Sequence, residues 1–185
     1  FTSTQGTFSV RLSKDSFLIT PYGVDRKYIE PEDLVRIDAN YREAGKNPSR
    51  SVAMHKLIYD EHPEINAITV AQPRHVMAFG VTHTPIDSLT IPESYIAMRD
   101  IARVPFGTNI TDPEKISKSI STKSPVVLIE NDSVISTGNS LINAFDRLEV
   151  AEFTANTIIH ANMIGNIVKI SQKEVEDIDK AFNLE

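Results

Sequence analysis

The chain has 185 residues, 41% of them hydrophobic and 24% charged, with a formal net charge of −6. Those proportions suit a soluble domain with a core of its own, and the acidic balance gives no electrostatic footing for nucleic acid or an anionic membrane. Cysteine is absent, which excludes a disulfide framework, a thiolate nucleophile and a cysteine zinc site, and fits a cytoplasmic protein.

In chain order, Thr7-Phe8-Ser9-Val10-Arg11-Leu12 alternates apolar and polar residues and predicts a half-buried strand. Ser13-Lys14-Asp15 predicts a turn and Phe17-Leu18-Ile19-Thr20 its antiparallel partner. Pro21-Tyr22-Gly23 breaks the pattern, and Glu30-Pro31-Glu32-Asp33 has the Pro and acids of a one-turn helix start. Leu34-Val35-Arg36-Ile37 predicts a third strand, and residues 39–48, with Gly45 and Pro48, a loop. Ser49 is the expected N-cap of a helix over about 50–61, carrying Met54, Leu57 and Ile58 at helical spacing.

Ala67-Ile68-Thr69-Val70 predicts a fourth strand, and residues 73–80 a short helix. Pro85, Pro92 and Pro105 divide residues 81–112 into loops and brief elements. Pro125-Val126-Val127-Leu128-Ile129 predicts a buried strand, continued by Val134-Ile135 after an Asn131-Asp132-Ser133 turn. Residues 139–162 predict a long helix with Leu141, Ala144, Phe145, Leu148, Ala151 and Ile158 on one side, stopped by Gly165. Ser171-Gln172-Lys173-Glu174 reads as the capping box of a last helix. Alternating strands and helices predict an α/β sandwich with a mixed sheet, and no apolar run is long enough to span a bilayer.

Five segments in this order resemble the class II aldolase/adducin family: Gly6-Thr7-Phe8-Ser9-Val10-Arg11, Leu18-Ile19-Thr20-Pro21-Tyr22-Gly23, Pro48-Ser49-Arg50-Ser51 with His55, Asn66-Ala67-Ile68-Thr69-Val70-Ala71-Gln72-Pro73, and Leu128-Ile129-Glu130-Asn131-Asp132-Ser133 with Gly138 and Ala144-Phe145. The resemblance implies an α/β fold of αβα sandwich form, a central mixed or antiparallel sheet flanked by helices. It implies a homo-oligomer, a three-histidine divalent metal centre, commonly zinc, and a glutamate that moves the proton. The family's His-x-His pair falls on Val70 and Gln72, its third histidine on Asp132 and its glutamate on Ser51. Valine has no donor atom and glutamine only a neutral carbonyl oxygen, so the family zinc is expected to be absent and no residue is assigned as a metal ligand. The phosphate-binding positions fall on Gly6, Thr7, Gly23, Ser49 and Arg50, which predict either an anion site or two turn glycines and a helix cap. Tyr95 is a candidate donor to a neighbouring subunit's site.

Five histidines remain to be placed. His55 reads as a satisfied core residue, and His62 and His160 as surface or packing residues. His75 and His83 have no standard ligand spacing, and Glu174, Glu176, Asp177 and Asp179 read as a solvated helix face. The expectation is a single domain over 1–185, part of a longer or tandem chain since it starts at Phe1, that is non-catalytic and serves assembly. The alternatives are the non-metal half of a tandem or hetero-oligomeric enzyme beside a companion aldolase-like domain, and a module for a phosphorylated small molecule.

Overall fold

The structure is a computed structural model that describes residues 3–39 and 41–184. Its first strands, β1 (Thr7–Ser13) and β2 (Ser16–Ile19), form the expected hairpin, with Ser9 opposite Ile19 and Arg11 opposite Phe17. A 3₁₀ turn at Pro31–Asp33 leads into β3 (Val35–Asp38), which pairs with β2. The predicted loop over 39–48 in fact holds a short edge strand, β4 (Tyr41–Arg42), paired with Ile37 and Asp38. Residue 40 lies outside the described residues.

Helix α1 (Val52–Glu61) starts later than expected, with Ser51 at the cap position and no side-chain cap bond. Strand β5 (Ala67–Ala71) and helix α2 (Arg74–Gly80) follow as expected. Between 81 and 125 the chain forms α3 (Pro92–Ala97), β6 (Ile101–Val104), α4 (Thr108–Thr111) and α5 (Pro113–Ser119). β6 was not legible in the sequence because Ile101-Ala102-Arg103-Val104 is short and lies between prolines. Strands β7 (Val126–Ile129) and β8 (Ser133–Gly138) lead into the long helix α6 (Leu141–Ile164) and the terminal α7 (Gln172–Phe182).

All eight strands join one sheet in the order β4-β3-β2-β1-β5-β8-β7-β6, antiparallel except for β6 beside β7. Side chains alternate between two apolar layers. One layer packs Ile68, Val70, Ile129 and Ile135 with Met54 and Ile58 of α1 and Ile116 of α5. The other packs Ala71, Leu128 and Val134 with Val76 and Phe79 of α2 and Leu148, Ala151, Ala155 and Ile158 of α6. Leu141 and Phe145, expected on the buried side of α6, are exposed, because the buried stripe runs through Ala144, Leu148 and Ala151. At the β8–α6 junction a Cβ on Gly138 would lie 2.5 Å from the backbone nitrogen of Ala144, so only glycine lets the helix approach this closely. None of the described helices is long and apolar enough to cross a membrane.

Candidate functional site

The face of β1 that looks at α1 is polar. Thr7, Ser9 and Arg11 alternate along the strand, and Ser51, His55 and Tyr59 recur every four residues along the helix, so the two rows meet residue by residue. Ser9 Oγ lies 2.7 Å from His55 Nδ1 and 2.8 Å from the Tyr59 hydroxyl. Arg11 donates to the carbonyls of Tyr59, His62 and Ile65 at 2.8, 2.9 and 2.9 Å, with its guanidinium 4.6 Å from the centre of the Tyr59 ring. His55 is fully buried, and burial depresses its pKa to about 3. It is thus a core residue, but only half satisfied: its Nε2 has no hydrogen-bond partner among the described residues. This network was missed in the sequence, although the matching period-two and period-four rows are visible there.

At the open end of that interface, Thr7 Oγ1 lies 2.6 Å from Ser49 Oγ, and Ser51 Oγ lies 3.1 Å from Ser49 Oγ and 3.3 Å from Thr7 Oγ1. Ser49 therefore bonds across to β1 rather than capping α1. Its backbone N–H donates to the Thr20 carbonyl at 3.0 Å, and Pro48 bridges to Pro21, which brings the 47–51 turn against the loop that carries Gly23. Gly6 and Gly23 hold left-handed φ values of 84° and 76° that disfavour a side chain. Arg26 ties their loops together, donating to the carbonyls of Gly6, Pro21 and Val24 at 2.9, 3.0 and 2.8 Å. The structure thus gathers Gly6, Thr7, Ser49 and Ser51 around three hydroxyls. Arg50 is exposed, its guanidinium 5.5 Å from the centre of the Tyr22 ring.

Val70 lies directly opposite Thr7, in the apolar layer beneath α1. Gln72 follows the last residue of β5, and its Oε1 is buried without a partner among the described residues. Ala71 pairs with Val134 and Ile129 with Ser133, which puts Gln72 and Asp132 at the same end of the sheet. Asn131, at φ 56°, turns the chain there and donates its N–H to the Gly80 carbonyl at 3.1 Å. Asp132 accepts from Asn109 Nδ2 at 2.6 Å, while Asn109 Oδ1 is buried and has no partner among the described residues. Nothing in the sequence signalled Asn109, since its helix α4 is a single turn. Gln72, Asn109 and Asp132 offer one carboxylate and two neutral amides, and the nearby Glu130 is paired with Arg103, so the set is poor for zinc, which favours imidazole, thiolate and carboxylate ligands. Among the described residues no three His, Cys, Asp or Glu side chains converge on one point.

His75 lies in the first turn of α2 and His83 in the loop three residues past its end. His75 bonds through Nδ1 to Glu152 at 2.7 Å, and Glu152 also accepts the backbone N–H groups of His75 and Val76, closing the start of α2 from α6. His62 packs between elements, with Nε2 3.0 Å from the Ser117 carbonyl, and His160 is exposed. The C-terminal acids are not all solvated, because Asp179 accepts the Tyr95 hydroxyl at 3.0 and 3.2 Å. Tyr95 is thereby bonded to its own chain.

Residues 1–159 match the model of the class II aldolase and adducin N-terminal domain. The chain belongs to that family. An L-fuculose phosphate aldolase of Haemophilus influenzae is 26% identical over 175 residues, which cover 92% of this chain and 80% of that protein. A 3-oxo-tetronate 4-phosphate decarboxylase of the same organism is 25% identical, over 94% of this chain and 85% of its own. A solved L-fuculose 1-phosphate aldolase superposes with a TM-score of 0.82 at 23% identity, over 99% of this chain and 88% of that one, a likeness of fold. The class II aldolase/adducin fold expected from the five segments is therefore the fold observed, with α7 lying beyond the residues that the family model matches but within the span of the superposed aldolase.

Proposed function

We propose that this class II aldolase/adducin-family domain has kept the scaffold without the metal-dependent chemistry, and that it acts as a non-catalytic assembly domain. The observation that carries this reading is the donor set at Val70, Gln72 and Asp132. A Lewis-acid centre needs side chains that hold a divalent ion while leaving a position open for substrate. Here the first position is an apolar core residue, the second a neutral amide and the third a carboxylate already engaged by Asn109. Ser51, at the place of the family's glutamate, offers a hydroxyl bonded to Ser49 and Thr7, a group far too weakly acidic to exchange a proton as a carboxylate does. Relatives named as an aldolase and a decarboxylase indicate the chemistry of the ancestry; the substitutions argue that this domain no longer performs it.

Two measurements test the proposal. Elemental analysis after exposure to stoichiometric zinc and desalting is expected to find almost no metal, and about one zinc per chain would overturn the non-catalytic reading. Sedimentation at micromolar concentration is expected to show an oligomer of this chain, and a monomer would remove the assembly role.

A second reading is favoured by the three hydroxyls of Thr7, Ser49 and Ser51 beside the left-handed Gly6 and Gly23: a pocket for the phosphate of a phosphorylated small molecule. Glycine lets backbone N–H groups approach an anion, and hydroxyls add donors without charge. A sugar phosphate should then raise the melting temperature, and Ser49→Ala should abolish the rise. No shift with any sugar phosphate would end this reading.

A further inference from the structure

A cleft of about 500 Å³ lies between residues 85–89, α3 and α7. It is separate from the residues at the sheet end, and α7 is part of its wall through Gln172, Val175 and Asp179, all beyond the residues matched by the family model. α7 is a defined element rather than a loose tail. A reciprocal capping box between Ser171 and Glu174 starts it, a left-handed Asn183 ends it, and Val175 is buried against the body of the protein.

The polar groups of the cleft are mostly committed to one another. Ser88 donates to the Arg99 carbonyl at 2.7 Å, Asp87 caps the Leu89 N–H at 2.9 Å and pairs with Lys169, and Tyr95 donates to Asp179. The Arg99 guanidinium lines the cleft, and no hydrogen bond or ion pair joins it to a described residue, although its charge acts on the nearby Tyr95 hydroxyl. A permanently charged fork of N–H donors, partly withdrawn from water and not hydrogen-bonded to a carboxylate of the chain, suits a planar carboxylate. Ile86, Leu89 and Val175 supply an apolar wall close by. The volume falls within the range of about 300–1,000 Å³ typical of small-molecule sites. Asp87, Asp100 and Asp179 also line the cleft, and their charge opposes a phosphate dianion more strongly than a single negative charge.

We propose that this cleft binds a small monocarboxylate with a branched aliphatic body, its carboxylate held by Arg99 and its body resting on Ile86, Leu89 and Val175. The full chain would be titrated with 4-methylpentanoate, with the uncharged 4-methylpentanamide and with inorganic phosphate, followed by amide chemical shifts. Saturable binding of the carboxylate at millimolar concentration is expected, with shifts centred on residues 85–99 and 172–179, and no matching response to the amide or to phosphate. Arg99→Gln should weaken carboxylate binding at least about tenfold, the loss of one charge-assisted interaction. It should unfold within a few degrees of the unsubstituted protein, since no hydrogen bond or ion pair holds the guanidinium. Equal binding of the amide, preferential binding of phosphate, undiminished binding to Arg99→Gln or no saturable binding would each overturn the proposal. The comparison of carboxylate with amide decides it on the unsubstituted chain, whatever the variant does.

Discussion

His55 makes the stability of this fold depend on pH in a calculable way. Burial depresses its folded-state pKa to about 3, whereas in the unfolded chain it titrates near the ordinary value of about 6.5. Below about pH 6.5 the unfolded chain therefore takes up a proton that the folded chain refuses. The stability that comes from keeping the ring neutral is complete above that pH and is lost as the pH falls toward 3. Each pH unit inside this window corresponds to about 1.4 kcal/mol, so going from about pH 7.5 to about pH 5 should cost about 2 kcal/mol from this residue alone. Other histidines and the carboxylates also titrate, so the comparison must be with a variant. His55→Asn keeps a polar group within reach of Ser9 but cannot titrate. Urea unfolding at both pH values should show a drop about 2 kcal/mol larger in the unsubstituted protein than in His55→Asn. Equal drops would mean that the folded protein protonates His55 as easily as the unfolded chain does, and the assignment of a buried, neutral ring between Ser9 and an unpartnered Nε2 would be wrong.

Three further substitutions test the packing. Gly138→Ala forces a methyl group to within 2.5 Å of the Ala144 backbone nitrogen and should destabilise by about 2–3 kcal/mol in urea unfolding. Glu152→Ala leaves the His75 and Val76 N–H groups and the His75 ring without their acceptor, for a loss of about 2 kcal/mol by the same measurement. Tyr95→Phe removes the hydroxyl that Asp179 accepts, so hydrogen exchange should quicken in α7 while the central strands keep their protection.

Much of the architecture was legible because local chemistry and tertiary packing agree. The Ser171–Glu174 capping box, the Gly165 stop and the alternation in β1 all form the elements that they predict. Elsewhere a tertiary contact overrode the local signal. Ser49 has the chemistry of an N-cap, but Thr7 lies 2.6 Å away and takes its hydroxyl, leaving the helix to begin at Val52. Arg50 lies over Tyr22, a contact with a residue distant in the chain that no local pattern signals. The resemblance names candidate site residues but not their partners. Asp132 could be singled out, but its engagement by Asn109 depends on how α4 docks, and one short turn carries no periodic signal of that.

If Val70 stands where the family has a histidine, as the resemblance implies, the energetics of the sheet end change as well. An imidazole there would need the metal, or another polar partner, to offset its loss of water, whereas Val70 packs with Ile68 and Ile135 and favours the metal-free fold by burial alone. On the proposed reading the scaffold and the metal chemistry are separable, because an apolar side chain at this position needs no ion for its burial. Val70→His should reverse this, placing a polar ring opposite Thr7 in an apolar layer, at a cost of about 2–3 kcal/mol. Zinc should not restore the loss, because Gln72 is a poor ligand and Asn109 holds Asp132. Thermal unfolding of Val70→His with and without zinc checks both statements. A variant that zinc restores to the stability of the unsubstituted protein would show that the remaining residues still complete a metal centre, and that Val70 alone had silenced it.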